Sequence, residues 1–241
     1  MRLMRLTQFP KLNYASSEAA NTLASNVTFA GMNYTCVMLT SCSVGEGKSY
    51  VAMHLAKALS NMGYSCVLVD ADIRKSVFVS RYGAEVKGEL LGLTHFLAGK
   101  APLDAVLYQV ESTQMAVIPA GKAVVNSLPL LTSSAFSELI LNLKKSYQFI
   151  IVDAPPIGLV IDAAMIATAC DATIFVTENN CSRKELNGCI KQIKQANVPI
   201  LGVVLNKVKL DRSKSRKYYY RSQYMQYQNY YSDRSDDETS A

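Results

Sequence analysis

Unbroken apolar runs recur along the chain at CVMLT (36–40), CVLV (66–69), MAVI (115–118), FIIV (149–152), ATIFVT (172–177) and ILGVVL (200–205). Between most of them lie stretches whose apolar residues fall at helical spacing. Strands buried on both faces read in this unbroken way. Their alternation with helices predicts an α/β fold, a doubly wound and mostly parallel sheet with helices on both faces. Local signals set the expected helix ends. Ser16 or Ser17 caps a helix over roughly 16 to 30, and Gly63 and Gly99 close two others. Ser133 or Ser134 opens a helix to about Lys145, Asp162 caps one through Ala169, and Ser182 with Glu185 forms a capping box before a helix to about Asn197. The residues before the first helix read as an extended lead-in, and 73–114 carry the weakest pattern.

The pattern stops at Asp211. Beyond it there is no Val, Ile or Leu, but Tyr218, Tyr219, Tyr220, Tyr224, Tyr227, Tyr230 and Tyr231, followed by the acidic SDRSDDE. Such a segment has no core to build, so the division expected is a folded domain over 1–210 and a flexible, disordered tail over 211–241. Composition supports a single domain: 241 residues, 49% apolar and 18% charged, supply one large core. No apolar run approaches the ~20 residues of a membrane span, and the run in MRLMRLTQFP is too short for a signal peptide, so a cytoplasmic chain is expected. The net charge of +6 belongs to one segment, where Lys207, Lys209, Arg212, Lys214, Arg216, Lys217 and Arg221 face only Asp211. The remainder is neutral, which argues against a nucleic-acid partner. Six cysteines without a C-x-x-C pair read as free and mostly buried thiols, with Cys42 expected to be oxidisable.

Chemistry enters at SCSVGEGKS (41–49), set between a strand-like run and a helix-like one. This is the context of a P-loop. Glycines turn backbone N–H groups toward an anion, Lys48 reaches the terminal phosphates, and the Ser49 hydroxyl can bind Mg²⁺. The general pattern G-x-x-x-x-G-K-[ST] asks for glycine where this chain has Cys42. Two further strands end in aspartate, at Asp70 with Asp72 and at Asp153, and the last ends at Asn206. All fall at the carboxyl edge, where parallel sheets bind ligands. Mg²⁺ takes one or two protein carboxylates, so some of these aspartates must act through water or as a base.

GEGKS, VLVDADIRK and FIIVDAPP together resemble the three Walker motifs of the bacterial tyrosine kinases of polysaccharide export. The likeness extends to LNYASSEAANTLASN, GLTHFLAG, VIPAG, GVVLN and the tyrosine-rich tail. It implies an ATP- and Mg²⁺-dependent protein-tyrosine kinase that autophosphorylates the tail tyrosines, between chains, and regulates capsular or exopolysaccharide export. Val44, Gly45, Glu46, Gly47, Lys48, Ser49 and Tyr50 would contact the nucleotide, with Asn206 facing the adenine. Asp70 would be the base for the tyrosine proton, and Ser49, Asp72 and Asp153 would arrange the metal. A membrane activator protein would supply a cytoplasmic segment, holding the kinase at the inner face of the plasma membrane. The family's Glu-x-x-Arg-x-x-Arg helix serves ring assembly through self-association. Here Glu18 is followed by Asn21 and Ala24, which puts the ring in doubt. Val44 and Ser76 replace prolines at positions expected to touch no catalytic role. The alternatives are a MinD/ParA-like switch ATPase, which would carry lysine where this chain has Ser43, and a non-catalytic nucleotide-binding partner.

Overall fold

The computed structural model describes residues 1–31 and 33–208. The expected tail over 211–241, with all seven of its tyrosines, lies outside the described residues. The elements run β1 (Arg2–Leu6), α1 (Tyr14–Phe29), β2 (Cys36–Ser41), α2 (Lys48–Asn61), β3 (Cys66–Asp70), α3 (Phe78–Tyr82), β4 (Ala84–Val86), α4 (Leu93–Leu97) and α5 (Leu103–Val106). They continue β5 (Tyr108–Val110), β6 (Met115–Ile118), α6 (Leu128–Leu131), α7 (Ser134–Lys144), β7 (Phe149–Asp153), α8 (Asp162–Ala167), β8 (Ala172–Thr177), α9 (Arg183–Gln195) and β9 (Ile200–Leu205).

Among the described residues the strands form one sheet in the order β4-β1-β5-β6-β3-β7-β2-β8-β9. Its centre is parallel throughout, with β7 between β3 and β2. Unbroken apolar runs are what such strands need, because each face meets its own core. Cys36, Met38, Val67, Val69, Ile150 and Val152 pack on one side with α7, α8 and α9. Val37, Leu39, Cys66, Leu68 and Ile151 pack on the other with Val51, Leu55 and Leu59 of α2. Register then fixes the edge that matters: Asp70 lies directly beside Asp153 across β3 and β7, and Asp153 beside Leu39 across β7 and β2.

Several local expectations are corrected. The lead-in is a strand, β1, parallel to β5 and antiparallel to β4. β5 and β6 are antiparallel, because the four residues 111–114 between them are too few for a crossover. Helix α1 is capped by Asn13, whose side chain accepts the Ser16 N–H at 2.9 Å, and not by Ser16 or Ser17. Ile161 takes the cap position of α8, since the Asp162 carboxylate is claimed by Arg74 and Ser127. The capping box at Ser182 and Glu185 forms as expected. No helix among the described residues is long and apolar enough to cross a membrane.

His54 on α2 is 4% exposed, its ring edge-on to Phe9 at 5.3 Å and to Tyr50 at 4.3 Å, and its Nε2 has no hydrogen-bond partner. Burial, aided by the charge of Lys57, pulls its pKa down to about 4. The unfolded chain holds this proton up to about pH 6.5. Between those limits the unfolded state binds more protons, so stability falls as pH drops. His54→Leu should therefore lose less stability than the unsubstituted protein between pH 7 and pH 4, by on the order of 2–3 kcal/mol. Urea midpoints measured at a series of pH values check this.

Candidate functional site

The loop from Cys42 to Gly47 leaves β2 and enters α2, with Gly47 at the cap of the helix. Gly45 and Gly47 have φ of +88° and +91°, a region L side chains rarely adopt. A Cβ on Gly47 would also run into the side-chain amide of Asn206. Cys42 needs no such freedom, which explains why the expected glycine is dispensable there. Cys42 is 3% exposed, and burial pushes its pKa up. The expected oxidisability is corrected accordingly, because the thiolate is the reactive form.

Glu46 and Asn206 brace the loop from within. The Glu46 carboxylate accepts the Ser43 N–H at 2.7 Å and the Thr177 hydroxyl at 3.1 Å. Asn206 donates its side-chain N–H to the Glu46 carbonyl at 2.9 Å and its backbone N–H to Thr177 O at 2.7 Å. Val44 is exposed at the turn, and Tyr50 packs against His54 one turn along.

Lys48 meets the strand-end aspartates. Its amine lies 3.2 Å from Asp72 Oδ2, 3.3 Å from Asp153 Oδ1 and 3.3 Å from Ser49 Oγ. Burial alone would favour loss of its proton, but Asp153, Asp72 and Asp70 outweigh that and raise its pKa. Asp70, 2% exposed, is driven well above the usual carboxylate range by burial and by Asp153, against the opposing pull of Ser76 and Lys48. Burial also raises Asp153, with Lys48 and Ser49 working the other way. The structure thus brings Lys48, Ser49, Asp70, Asp72 and Asp153 together at the carboxyl edge.

With its carboxylates ionised, the cluster sets one ammonium against Asp70, Asp72 and Asp153 in a buried place, and that excess calls for a further cation. Two carboxylates and the Ser49 hydroxyl are hard oxygen donors that suit Mg²⁺. Among the described residues no group of three or more His, Cys, Asp or Glu side chains is arranged to hold a metal ion. A cation here would be completed by water and phosphate oxygens.

Sequence reasoning missed four contributors. Ser76, set aside as non-catalytic, donates its hydroxyl to Asp70 Oδ2. The Tyr82 hydroxyl donates to Ser49 O at 3.3 Å. Arg74 grips Asp162 through Nε at 2.7 Å and Nη2 at 3.1 Å and donates to Val125 O at 2.8 Å, tying the loop after β3 to α8. Gly158 brings its backbone against the Cys42 carbonyl so closely that a Cβ there would collide with it. Only Gly158, following a double proline, carried a local signal in the sequence.

The ParA family, described as NUBPL iron-transfer P-loop NTPase, matches residues 33–231. The tyrosine-protein kinase CpsD of Streptococcus agalactiae is 36% identical over 194 residues, covering 80% of this chain and 84% of that protein. The kinase domain of Escherichia coli tyrosine kinase ETK superposes with a TM-score of 0.77 at 27% identity, over 85% of this chain and 80% of that one. The septum site-determining protein MinD of Pyrococcus horikoshii, complexed with Mg-ADP, gives 0.59 at 26% identity, over 74% and 72%.

Replacing Gly47 by alanine should reduce stability and nucleotide affinity together, since both the positive φ and the contact with Asn206 oppose a side chain. Asn206→Ala should relieve only the contact. The double variant is then expected to be less destabilised than the sum of the singles, while staying about 1 kcal/mol or more below Asn206→Ala from backbone strain. Urea titrations of the four proteins read this out.

Proposed function

The chain belongs to the bacterial tyrosine-protein kinases of the ParA-like P-loop NTPases, and on that premise we propose that it moves the γ-phosphoryl group of ATP to tyrosines of its own tail. The acceptors are Tyr218, Tyr219, Tyr220, Tyr224, Tyr227, Tyr230 and Tyr231 on a neighbouring copy. The observation that carries this reading is the Lys48 amine, which leaves the phosphate loop and is gripped by Asp72 and Asp153 at the ends of two parallel strands. The switch-ATPase alternative is the weaker one: Ser43 stands where those proteins carry lysine, and the MinD fold superposes less closely than the tyrosine-kinase domain.

Each residue has a stated task. Backbone N–H groups from Val44 to Ser49 cradle the phosphates at the N-terminus of α2. Lys48 exchanges a carboxylate partner for a terminal phosphate oxygen, and its raised pKa keeps it charged throughout. Mg²⁺, held by Ser49, Asp72 and Asp153, would supply charge neutralisation on the phosphates. Asp70 accepts the tyrosine proton as the phenolic oxygen bonds to the transferred phosphorus and ADP leaves. A carboxylate raised by burial is a better base than an ordinary one. Glu46 and Asn206 keep the loop in shape, with Asn206 turned toward the base end of the nucleotide.

Two features bear on regulation. Within α1 the Asn21 side chain donates to Glu18 at 3.4 Å, and Ala24 is fully buried, so neither position offers a cation to a neighbouring subunit. Ring assembly through these two positions is accordingly disfavoured, and a membrane activator brings copies together at the inner face of the plasma membrane during capsular or exopolysaccharide export. Each phosphotyrosine adds about −1.5 to −2 charges, so about four of them reverse the basic segment and push chains apart.

Incubation with ATP and Mg²⁺, followed by mass spectrometry, should find phosphate on the tail tyrosines. Lys48→Met should abolish it. Asp70→Asn should lower the maximal rate by about 100-fold or more while changing nucleotide affinity little, as a group acting on the transition state does. Equal losses in affinity and rate would make Asp70 a ground-state ligand.

A separate mixture joins the Lys48→Met chain to an active chain truncated after Asp211. Phosphate should appear on the inactive partner's tail. Its absence, with the truncated enzyme shown to be competent, would end the case for transfer between chains.

A further inference from the structure

Ser76 follows Asp72, Arg74 and Lys75 in the loop that leaves β3, and it is only partly buried. Its oxygen accepts the Phe78 N–H at 3.1 Å, the local turn to which serine is suited. An oxygen engaged in this way directs its own proton elsewhere. Here the hydroxyl donates to Asp70 Oδ2, while Asp70 Oδ1 accepts the Asp72 N–H at 3.3 Å. Both oxygens of one buried carboxylate are therefore tied, one to the backbone and the other through Ser76. Lys48 spends its short contacts on Asp72 and Asp153 and leaves the orientation of Asp70 to these two donors.

The segment bearing Ser76 is anchored independently of that hydroxyl. Phe78 and Tyr82 of α3 are 5% and 0% exposed, and the Tyr82 hydroxyl reaches the Ser49 carbonyl. Removing one oxygen at position 76 leaves these anchors in place. The carboxylate would then turn about its own bond, and a base free to turn meets the substrate proton in the right plane less often.

We propose that Ser76 is a positioning residue for phosphoryl transfer, its hydroxyl aligned by Phe78 N–H so that it fixes the plane of the Asp70 carboxylate facing the tyrosine. The inference rests on Asp70 acting as the base. It assigns to this chain a contact that a proline at the same position does not make.

The test uses the full chain with ATP and Mg²⁺, comparing Ser76→Ala and Ser76→Thr with the unsubstituted protein. Initial rates of tyrosine phosphorylation are measured across ATP concentrations, and urea midpoints are taken in parallel, including Asp70→Asn and the Ser76→Ala/Asp70→Asn double variant. Ser76→Ala should lower the maximal rate about tenfold, the scale of one hydrogen bond to a charged group, with the ATP concentration at half-maximal rate unchanged. Ser76→Thr, which retains the hydroxyl, should restore most of the rate. The urea cycle should show that Ser76→Ala costs less stability once Asp70 is already asparagine. A lower midpoint with an unchanged maximal rate would reduce Ser76 to a turn residue and overturn the proposal, as would loss of rate that Thr fails to restore. A chain that phosphorylates no tyrosine at all would overturn the underlying reading and this inference together. An active chain indifferent to Ser76→Ala overturns this inference alone.

Discussion

The site depends on an imbalance of charge that the sheet itself imposes. Parallel pairing of β3 with β7 sets Asp70 beside Asp153 at one buried edge, and Asp72 follows within two residues. Like charges so placed repel in a medium that screens them poorly, and Lys48 is the ammonium that holds them. The amine is thereby set among carboxylates at the first residue of the helix that follows the phosphate loop. Burial at this edge, reinforced by the charge of Asp153, raises Asp70, giving a base strength an exposed aspartate would lack.

Around this cluster the supports are hydrogen bonds, most of them from neutral donors. Asn206 and Thr177 hold the loop from the β8–β9 side through Glu46, while Tyr82 approaches from α3 and Ser76 from the loop before it. Arg74 is the exception, a guanidinium with a bidentate grip on Asp162, whose carboxylate also accepts the Ser127 hydroxyl, so that two loops converge on one carboxylate of α8. Its place two residues after Asp72 lets the same short loop carry both a partner of Lys48 and a structural latch.

Much of this was legible in the residues. The central strands announce themselves because burial on both faces demands uninterrupted apolar residues, and the P-loop and strand-end aspartates follow from where such strands must stop. The capping box at Ser182 is legible for a similar reason, since both partners lie within one turn. What escaped depends on residues far apart in the chain. Asp162 looks like a helix cap until Arg74, 88 positions away, is known to claim it. Asn13 outcompetes Ser16 and Ser17 by where the chain turns, which β1 decides by joining the sheet. Ser76 seemed idle because a missing proline says nothing about which carboxylate a hydroxyl will find.

The order of the strands also governs when the enzyme comes into being. β7, from residues 149–153, is inserted between β2 and β3, which are drawn from residues 36–70. Contacts of such sequence separation form late, after long loops have closed. On the ribosome, the phosphate loop and the Asp70 pair are therefore made well before the strand that brings Asp153 to Lys48. Asn206, which braces the loop, emerges later still. A nascent chain cannot assemble its phosphate site from the amino-terminal half alone, so nucleotide capture waits on nearly complete synthesis of the folded domain.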